Sequence, residues 1–535
     1  MKKIYASFIL ACATLFAASP QPGEKLAKEQ KLIFNAGAAP ASLDPAKIEG
    51  TPEGYFARNL FETLISSNAD DEIIPGVATS WSHSDDYKTW TFNLRKDAKW
   101  SNGESVKASD FVFAWQRLVD PKTASPYGSY LTYMKLLNAS DILAGKKNPK
   151  ELGVEAKDDY TLVLTLEESV PFADILTEFY VLAPVPQKLV EKLGDSWSEP
   201  KNLVGNGPFK IDSLVVNEEA KLSKNPHYWD SKSVLLENIT LLQIQNSSVE
   251  YTRYRSSSLD VAGFPLELVD TVKKDYAKEF ITGPVLCTYY YEFNTQKAPF
   301  NDAKTRQALT MALDRSIITE KITRLGQTPA YTFSPPAIGA AELITPPEWS
   351  KWDMKKRNEE AIKLLKEAGY SKEKPLTFTL LYNTNEDHKK IAIAASSIWK
   401  QNLAGMVNVK LQNQEWKTFL STRRLGQHEM ARAGWCSDYN EASSFLNTFL
   451  TGSSNNQAGF KNAEFDEAIK AAYKAPSEEE RAKLYAKAEE ILYTNAPLVP
   501  VYFYSTSQLV KPYVKGYKIK PSSNYYFKDL YIVEQ

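Results

Sequence analysis

The segment between residues 416 and 439 concentrates side chains that can bind both ends of a molecule carrying two opposite charges. Its candidate binding residues are Trp416, Arg423, Arg432, Gly434, Trp435, Cys436 and Asp438. A ligand ammonium group needs a fixed carboxylate, and a ligand carboxylate is bound well by the planar fork of an arginine. Aromatic walls supply contact area for the parts in between. A free peptide is a ligand that needs partners of all these kinds.

Catalytic and metal-binding motifs are absent from the sequence. It contains no Gly-x-x-x-x-Gly-Lys loop, no His-Glu-x-x-His, no Cys-x-x-Cys and no Gly-x-Ser-x-Gly. The four histidines are scattered, at His83, His227, His388 and His428. These observations argue against a histidine-based metal site and give no reason to expect a cofactor. An exported peptidase that uses a carboxylate pair stays open as an alternative, because such pairs have no fixed spacing.

The composition is that of a large globular protein. A chain of 535 residues is too long for one hydrophobic core, so we expect two or three domains. The formal net charge is −1, which gives no electrostatic reason to expect a nucleic-acid partner. The 29 Tyr, 24 Phe and 11 Trp fit either large cores or an aromatic-lined cleft.

The first residues have the pattern of an export signal. Lys2 and Lys3 precede an apolar run over residues 4–16, which is too short to span a bilayer. Residues 9–12 resemble a lipobox, which would leave Cys12 lipidated at the mature N-terminus. Cleavage within residues 17–19 would instead discard Cys12, and both outcomes stay open. We therefore expect an exported protein, with 1–24 as the signal region.

The cysteine count predicts a covalent cross-link. Because Cys12 belongs to the export segment, the body of the protein keeps two cysteines, Cys287 and Cys436. An even pair in an exported protein favours a disulfide, and two buried free thiols are the alternative.

Local patterns predict an α/β fold with mixed sheets. Alternating or β-branched runs indicate strands at 90–94, 160–166, 376–381, 407–411 and 499–504. Residues 358–370 have helical periodicity and reach Gly369, a residue common at helix ends. Ser477 followed by Glu480 has capping-box spacing and predicts a helix that runs to Tyr493.

Many blocks of the sequence, in order from Leu32 to the C-terminus, resemble the periplasmic oligopeptide-binding proteins, the solute receptors of peptide ABC importers. They include Ser-Leu-Asp-Pro at 42–45, Leu-Arg-Lys-Asp-Ala-Lys-Trp-Ser at 94–101, Gly-Asn-Gly-Pro-Phe-Lys at 205–210, Cys-Thr-Tyr-Tyr-Tyr-Glu-Phe-Asn at 287–294 and Ala-Gly-Trp-Cys-Ser-Asp-Tyr-Asn at 433–440. A match this long and ordered is far more specific than any single motif.

The resemblance implies a fold and a division of the chain. The fold is α/β, with two lobes of mixed sheets joined by a hinge, in the type II-like arrangement of cluster C binding proteins, and with an extra third domain. Lobe I would comprise residues 25–61, 187–286 and 505–535, the extra domain 62–186, and the second lobe 287–504. Hinge closure would trap a ligand between the lobes.

The resemblance also implies roles for individual residues. Asp438 would bind the peptide ammonium group, and the backbone of residues 434–436 would pair with the peptide as an added strand. Tyr127 would bind the peptide backbone, and Trp416 would stack in a side-chain pocket near Arg423. The set that meets the peptide carboxylate would be Arg432, His388 in its protonated form, and Glu49 as a residue that orients a cation or water. Tyr290 and Tyr504 complete the expected ligand-binding residues, and Cys287–Cys436 would be the disulfide.

Two positions and one loop depart from the family pattern, and the loop, at 403–407, is longer by about two residues. The position where the family often has a lysine for longer peptides is occupied here by Thr323, with Arg324 beside it, and Val285 replaces a tyrosine. These changes bear on the preferred peptide length.

The expected function is capture of short peptides and their delivery to an inner-membrane ABC permease by a non-catalytic, monomeric periplasmic receptor. Specialised relatives bind murein tripeptide, glutathione or haem, so these ligands remain alternatives.

Overall fold

The computed structural model describes residues 20–475 and 477–535. The predicted lipidation at Cys12, the alternative cleavage sites and nearly all of the signal region lie outside the described residues. Within the described residues, no helix combines the length and apolar character needed to cross a membrane.

Strands fall into one large sheet and three small ones. The strands are β1 (Lys31–Asn35), β2 (Ile65–Ser67), β3 (Ile73–Pro75), β4 (Ala78–His83), β5 (Thr89–Leu94), β6 (Val154–Asp158), β7 (Thr161–Thr165), β8 (Phe209–Val215), β9 (Glu219–Lys224), β10 (Asn238–Leu242), β11 (Val261–Ala262), β12 (Phe280–Phe293), β13 (Thr328–Pro329), β14 (Leu376–Asn383), β15 (Val407–Gln414), β16 (Met430–Cys436), β17 (Leu498–Val510), β18 (Val514–Lys515) and β19 (Tyr531–Ile532).

The large sheet has the order β15-β14-β16-β12-β17-β11-β1-β10-β9-β8, with β13 also paired to β17. It is mixed, because β14 runs parallel to β15 and β16 whereas β12 runs antiparallel to β16 and β17. A separate four-stranded sheet has the order β4-β5-β7-β6.

Two long strands, β12 and β17, form the centre of the large sheet. They pair from Phe280↔Leu509 to Glu292↔Leu498, with register shifts between Pro284 and Thr288 and between Tyr289 and Tyr290. Such irregularities bend a strand and increase its twist. The sheet is therefore continuous through this pair but bent within it.

Helices cover the sheets. The α-helices are α1 (Thr51–Leu60), α2 (Ala108–Val119), α3 (Tyr130–Tyr133), α4 (Ala139–Leu143), α5 (Gln187–Leu193), α6 (Ser247–Arg255), α7 (Val269–Asp275), α8 (Ala303–Ala312), α9 (Met354–Glu367), α10 (Glu386–Asn402), α11 (Trp416–Arg424), α12 (Ser443–Leu446), α13 (Ala463–Lys474) and α14 (Glu478–Asn495), and Ile317–Thr323 forms a π-helix.

The predicted elements are present, with shifted ends. In α14 the Ser477 hydroxyl accepts a hydrogen bond from the Glu480 backbone N–H at 3.3 Å, as the capping spacing predicts. Helix α9 begins four residues earlier than the predicted residue 358, because Asp353 caps it by accepting from the Lys356 N–H at 2.8 Å. The start of α9 could have been predicted from Asp353, a residue type that commonly caps helices, but hydrophobic periodicity alone does not indicate it.

Two large apolar cores hold these elements together. One contains Leu32, Phe56, Trp115 and Tyr485, and the other contains Tyr289, Phe378, Trp399 and Val501. Tyr289 and Tyr290 are consecutive on β12 yet belong to different cores, because successive side chains of a strand point to opposite faces. The two faces of this central strand are therefore both buried.

Candidate ligand-binding site

A cavity of about 280 Å³ lies where β12, β16 and β17 meet α1 and α11. Most of the predicted site residues line it: Glu49, Tyr127, Trp416, Arg423, Arg432, Gly434, Trp435, Cys436, Asp438 and Tyr504, together with Cys287. His388 lines a neighbouring cavity of about 370 Å³, and Trp416 and Arg432 line both. The two cavities therefore adjoin along one cleft.

Asp438 is a buried carboxyl group with no cation within 4.0 Å of it in the described part of the chain. Its residue is 9% exposed, and its carboxylate accepts a hydrogen bond from the Tyr127 hydroxyl at 3.3 Å. Among the described residues, none of the ion pairs within 4.0 Å involves Asp438, and burial raises the pKa of this carboxyl well above its usual range. A buried carboxyl in this state gains from a ligand cation that enters beside it.

The backbone beyond Ala431 offers a free strand edge to the cavity. On one side β16 pairs with β12 over its whole length, from Phe293↔Met430 to Cys287↔Cys436. On the other side its pairing with β14 ends at Leu381↔Ala431 within the described residues. The edge formed by residues 432–436 can therefore hydrogen-bond an extended ligand as an added strand.

The predicted disulfide joins Cys287 to Cys436, and the alternative of two free thiols is wrong. The two cysteines are directly opposite each other on β12 and β16. The bond therefore fixes the end of the free strand edge, and the Trp435 indole N–H fixes it further by donating to the Ser444 carbonyl at 2.8 Å.

Arg432 is a cation that forms no ion pair with a carboxylate among residues 20–475 and 477–535. Its Nη2 donates to the Tyr504 hydroxyl at 2.6 Å, and its Nη1 lies 3.4 Å from Oδ1 of Asn383. Its Cζ lies 4.8 Å from the centroid of the Tyr289 ring. The Nε atom is buried and makes no hydrogen bond in the described part of the chain. The guanidinium can therefore bind a ligand carboxylate without first breaking an ion pair.

The surroundings of His388 act on the protonation of its imidazole. It lies in the first turn of α10, with its ring centroid 5.6 Å from that of Tyr289. Burial and the positive charge of Arg432 lower the pKa of the imidazole well below its usual range. In the ligand-free protein the neutral imidazole is therefore favoured, and the expectation that a protonated His388 meets a ligand carboxylate stays a prediction.

Arg423 already has a carboxylate partner. Its Nε and Nη2 donate to the two oxygens of Glu292 at 2.6 and 3.0 Å, and its Nη2 also donates to Gln457 at 3.1 Å. Glu292 is only 2% exposed, so the pair is almost fully withdrawn from water. Arg423 is therefore a neutralised part of the wall rather than a free cation.

Helices α1 and α11 meet at the cavity through Trp416 and Glu49. The Trp416 indole N–H donates to Oε1 of Glu53 at 3.2 Å, and its ring stacks on Phe419 with centroids 6.0 Å apart. Glu49 accepts from Arg424 at 2.6 Å. Glu49 is therefore paired with a cation of the protein, and its role toward a ligand stays a prediction.

Tyr290 and Thr323 do not line the ligand cavity, whereas Val285 does. Tyr290 is 3% exposed and packs its ring against Phe333, 5.1 Å away, so it lies behind the cavity wall. Thr323 is buried and donates to Gln327 at 2.9 Å, while the Arg324 guanidinium pairs with Asp270. Val285 does line the cavity.

Several lining residues were not singled out from the sequence. Arg58, Tyr180, Asn383 and Gln457 contribute polar or aromatic groups to the two cavities. For Arg58 a signal was present, since it lies in the helix that directly follows the family-like segment at 42–50. No group of three or more His, Cys, Asp or Glu side chains within residues 20–475 and 477–535 is arranged to hold a metal ion.

Comparison with known proteins identifies the family. Residues 72–457 match the family described as bacterial extracellular solute-binding proteins, family 5 Middle. The chain belongs to this family. The family consists of binding proteins.

Close relatives match over their whole lengths. The chain is 50% identical to the periplasmic oligopeptide-binding protein OppA of Salmonella typhimurium, covering 98% of this chain and 97% of the relative. It is 41% identical to the periplasmic murein peptide-binding protein MppA of Escherichia coli, covering 99% and 98%.

A solved family 5 structure is also very similar. The crystal structure of Haemophilus influenzae OppA in complex with RPPGFSPFR matches with a TM-score of 0.94 and 51% identity, covering 95% of this chain and 100% of that one. The predicted two-lobed α/β fold with mixed sheets is confirmed by this match.

Proposed function

We propose that this protein captures short peptides with free ends in the periplasm and delivers them to an inner-membrane ABC permease. The observation that carries the proposal is the pair of unsatisfied charges in one cavity: Asp438 lacks a cation and Arg432 lacks a carboxylate among the described residues. A peptide supplies both missing charges. The relatives named as oligopeptide-binding proteins support the same assignment.

The proposed binding mode reads the peptide main chain. Asp438 and Tyr127 bind the ammonium end, and the free edge formed by residues 434–436 pairs with the backbone. Arg432, supported by Tyr504, binds the carboxylate end. Main-chain pairing gives affinity without selecting side chains, which suits a receptor for many different peptides.

Ligands of several lengths fit this arrangement. Arg432 lies where the two cavities adjoin, and the second cavity continues past it to His388 and Asn385. A short peptide would end at Arg432, and a longer one would extend into the second cavity. The RPPGFSPFR complex of H. influenzae OppA is a relative with a longer ligand.

In the proposed mechanism, the lobes close over the bound peptide. The parts of the chain are lobe I (25–61, 187–286 and 505–535), the extra domain (62–186) and the second lobe (287–504). Ion pairs link the first and last of these parts, from Glu49 to Arg424 at 2.6 Å and from Glu267 to Lys390 at 2.5 Å. Closure of the lobes over a peptide would form such contacts.

Murein tripeptide is a second candidate ligand. The unpaired charges of Asp438 and Arg432 suit any peptide with two free ends. The structure of E. coli MppA matches with a TM-score of 0.93 and 42% identity, covering 95% of this chain and 100% of that one. A single specialised ligand would distinguish this candidate from a general peptide receptor.

Native mass spectrometry of protein purified without denaturation tests the proposal. A spread of additional masses that fit peptides of two to five residues is expected. One sharp mass that fits murein tripeptide would favour the specialised function. Failure to bind any added peptide, or cleavage of added peptides during incubation, would contradict a non-catalytic peptide receptor.

A further inference from the structure

Two parts of the proposed closing mechanism meet at a pair of serines. Ser129 belongs to the extra domain (62–186) and Ser454 to the second lobe (287–504), 325 residues apart in the chain. Their hydroxyl groups share a hydrogen bond at 2.8 Å. The Ser454 backbone N–H donates to the Ser129 hydroxyl at 3.1 Å, and the Ser129 N–H donates to the Ser454 hydroxyl at 3.4 Å. Each serine therefore binds the other through both its backbone and its side chain.

Tyr133 extends this contact. Its hydroxyl hydrogen-bonds to the Ser129 hydroxyl at 2.8 Å and to the hydroxyl of Ser453. Ser129 is 2% exposed and Tyr133 is 6% exposed. Burial raises the pKa of Tyr133 to about 12, so this phenol stays uncharged near neutral pH. Ser129, Tyr133, Ser453 and Ser454 thus form a hydroxyl seam, an uncharged contact whose extra-domain side is buried.

Each side of the hydroxyl seam is supported by its own part of the protein. In the second lobe, Nδ2 of Asn456 donates to the carbonyls of Leu450 and Phe460 at 3.1 and 2.7 Å. In the extra domain, the Thr132 hydroxyl donates to the Ser129 carbonyl at 2.6 Å. These bonds hold the loop and the turn without help from the contact between them, so the seam can part and form again.

The hydroxyl seam separates the ligand cavity from another space. Tyr127 and Asn455 line the ligand cavity. Ser129 and Ser453 each lie two residues from them along the chain and line a different cavity, the outer cavity, of about 340 Å³. Residues 451 and 452 are exposed and also line the outer cavity, so this space reaches the surface. The seam is therefore a wall between the ligand cavity and solvent.

The seam lies at the amine end of the proposed binding site. The Tyr127 hydroxyl donates to Asp438, the proposed partner of the peptide ammonium group, at 3.3 Å. The same tyrosine packs its ring 6.2 Å from the ring of Trp435. Because Tyr127 is only two residues from Ser129, parting of the seam would move its hydroxyl away from Asp438 and join the ligand cavity to the outer cavity.

An ion pair also joins the extra domain to the second lobe. Nζ of Lys474 lies 3.3 Å from Oε1 of Glu168, with the two side chains 54% and 24% exposed. Exposed ion pairs contribute little to stability, whereas a buried hydroxyl that loses its partner is costly. The seam is therefore the stronger constraint on how these two parts separate.

We propose that the hydroxyl seam is a latch that closes the amine end of the ligand site, and that its parting controls how fast a bound peptide leaves. The inference rests on the proposed peptide-binding function and on its division into closing parts. The seam forms as the extra domain and the second lobe come together over the ligand, so it lengthens the lifetime of the complex without changing the rate of encounter. Ser129 and Ser454 are positioning residues, because they act by holding Tyr127 beside Asp438.

Stopped-flow measurement of tryptophan fluorescence with trialanine tests the latch. Trp416 and Trp435 line the ligand cavity, so their emission reports binding. In Ser454→Ala the dissociation rate constant should rise about two- to ten-fold, as expected for one lost hydrogen-bonding group, while the association rate constant stays at the wild-type value. Thr451→Ala changes an exposed residue of the same loop and should leave both rate constants unchanged.

A double-mutant cycle distinguishes a latch from a general loss of stability. Ser129→Ala should raise the dissociation rate constant by a similar factor. The double variant should dissociate more slowly than the product of the two single effects predicts, because both changes remove the same contact. The thermal midpoint of ligand-free Ser454→Ala should equal that of wild type, since the latch stabilises the closed form that holds the ligand.

Two results would overturn the latch: wild-type dissociation rate constants in both single variants, or single effects that multiply in the double variant. A wild-type protein that binds trialanine, with seam variants that release it at the wild-type rate, refutes the latch alone. A wild-type protein that binds neither trialanine nor other peptides refutes the proposed function as well.

Discussion

Trp416 donates its indole N–H to Oε1 of Glu53, 3.2 Å away and 363 residues earlier in the chain. The same oxygen accepts from the Ala41 N–H at 2.7 Å, whereas Oε2 is buried and makes no hydrogen bond with any described residue. Burial raises the pKa of Glu53 to about 7. One carboxyl oxygen thus joins α1 to α11 at the edge of the ligand cavity, and the other is suited to carry a proton.

Glu53→Gln should stabilise the protein at high pH. The folded-state pKa lies above the ordinary value of 4.5, so the contribution of this group to stability is complete below pH 4.5 and is lost as the pH rises through about 7. The amide keeps the accepting Oε1 and needs no proton. At pH 8 the variant should gain about 1–3 kcal/mol over wild type.

Thermal or urea unfolding at pH 5 and pH 8 measures this difference. The two proteins should agree closely at pH 5, and Glu342→Gln, at an exposed glutamate, should match wild type at both values. An equal stability of Glu53→Gln and wild type at pH 8 would show that the buried carboxyl carries no such cost.

Asp438→Asn should weaken binding of trialanine by more than about ten-fold, because the ligand ammonium group loses its charged partner. The change removes a buried, unpaired carboxyl group, so the thermal midpoint of the ligand-free protein should not fall. Calorimetric titration measures the affinity, with Asp85→Asn at an exposed position as the control. An unchanged dissociation constant would contradict the proposal that Asp438 binds the ammonium group of the peptide.

Arg432→Met should weaken binding of trialanine but not of trialanine amide, which has no carboxylate. The reason is that no carboxylate of the described residues pairs with Arg432, so its charge is available to the ligand. The expected loss for trialanine is about ten-fold or more. Equal losses for both ligands would indicate that Arg432 supports the cavity wall rather than the peptide carboxylate.

Replacing both cysteines by serine should lower the thermal midpoint. The Cys287–Cys436 disulfide spans 149 residues in sequence, and closing a loop of this size contributes roughly 4–5 kcal/mol in the chain-entropy description. Reduction of the wild-type protein should give the same lower midpoint, and the reductant should not affect the double variant. A double variant that unfolds at the wild-type temperature would contradict this.

Local chemistry made part of this structure predictable. Ser477 and Glu480 indicated the start of α14, and the even cysteine pair indicated the disulfide. The charges around residues 416–439 indicated a site for a two-ended ligand, and the structure gathers most of those residues around one cavity. These signals depend on neighbouring residues or on composition, so they can be recognised in the sequence before the fold is known.

Long-range pairing made the rest unpredictable. Arg423 reads in sequence as a free cation, but Glu292 is paired with it from 131 residues away. The neutral state of His388 follows from burial, which depends on packing. Of three consecutive tyrosines on β12, only the fold decides that Tyr290 faces the other core. The sequence therefore indicates which chemical groups are present, whereas tertiary contacts determine their protonation, their ion pairs and the core that each side chain faces.

The bent pairing of β12 with β17 has a mechanical consequence. Between Pro284 and Tyr290 the two strands lose and regain register, yet the backbone continues unbroken on both sides. If one half of the large sheet moves against the other, β12 and β17 would have to bend at these register shifts, because both strands run through them without a break. Because β12 and β17 stay paired on both sides of the bend, flexing there would leave the pairing of each half unchanged, and the free strand edge would keep its place beside β12.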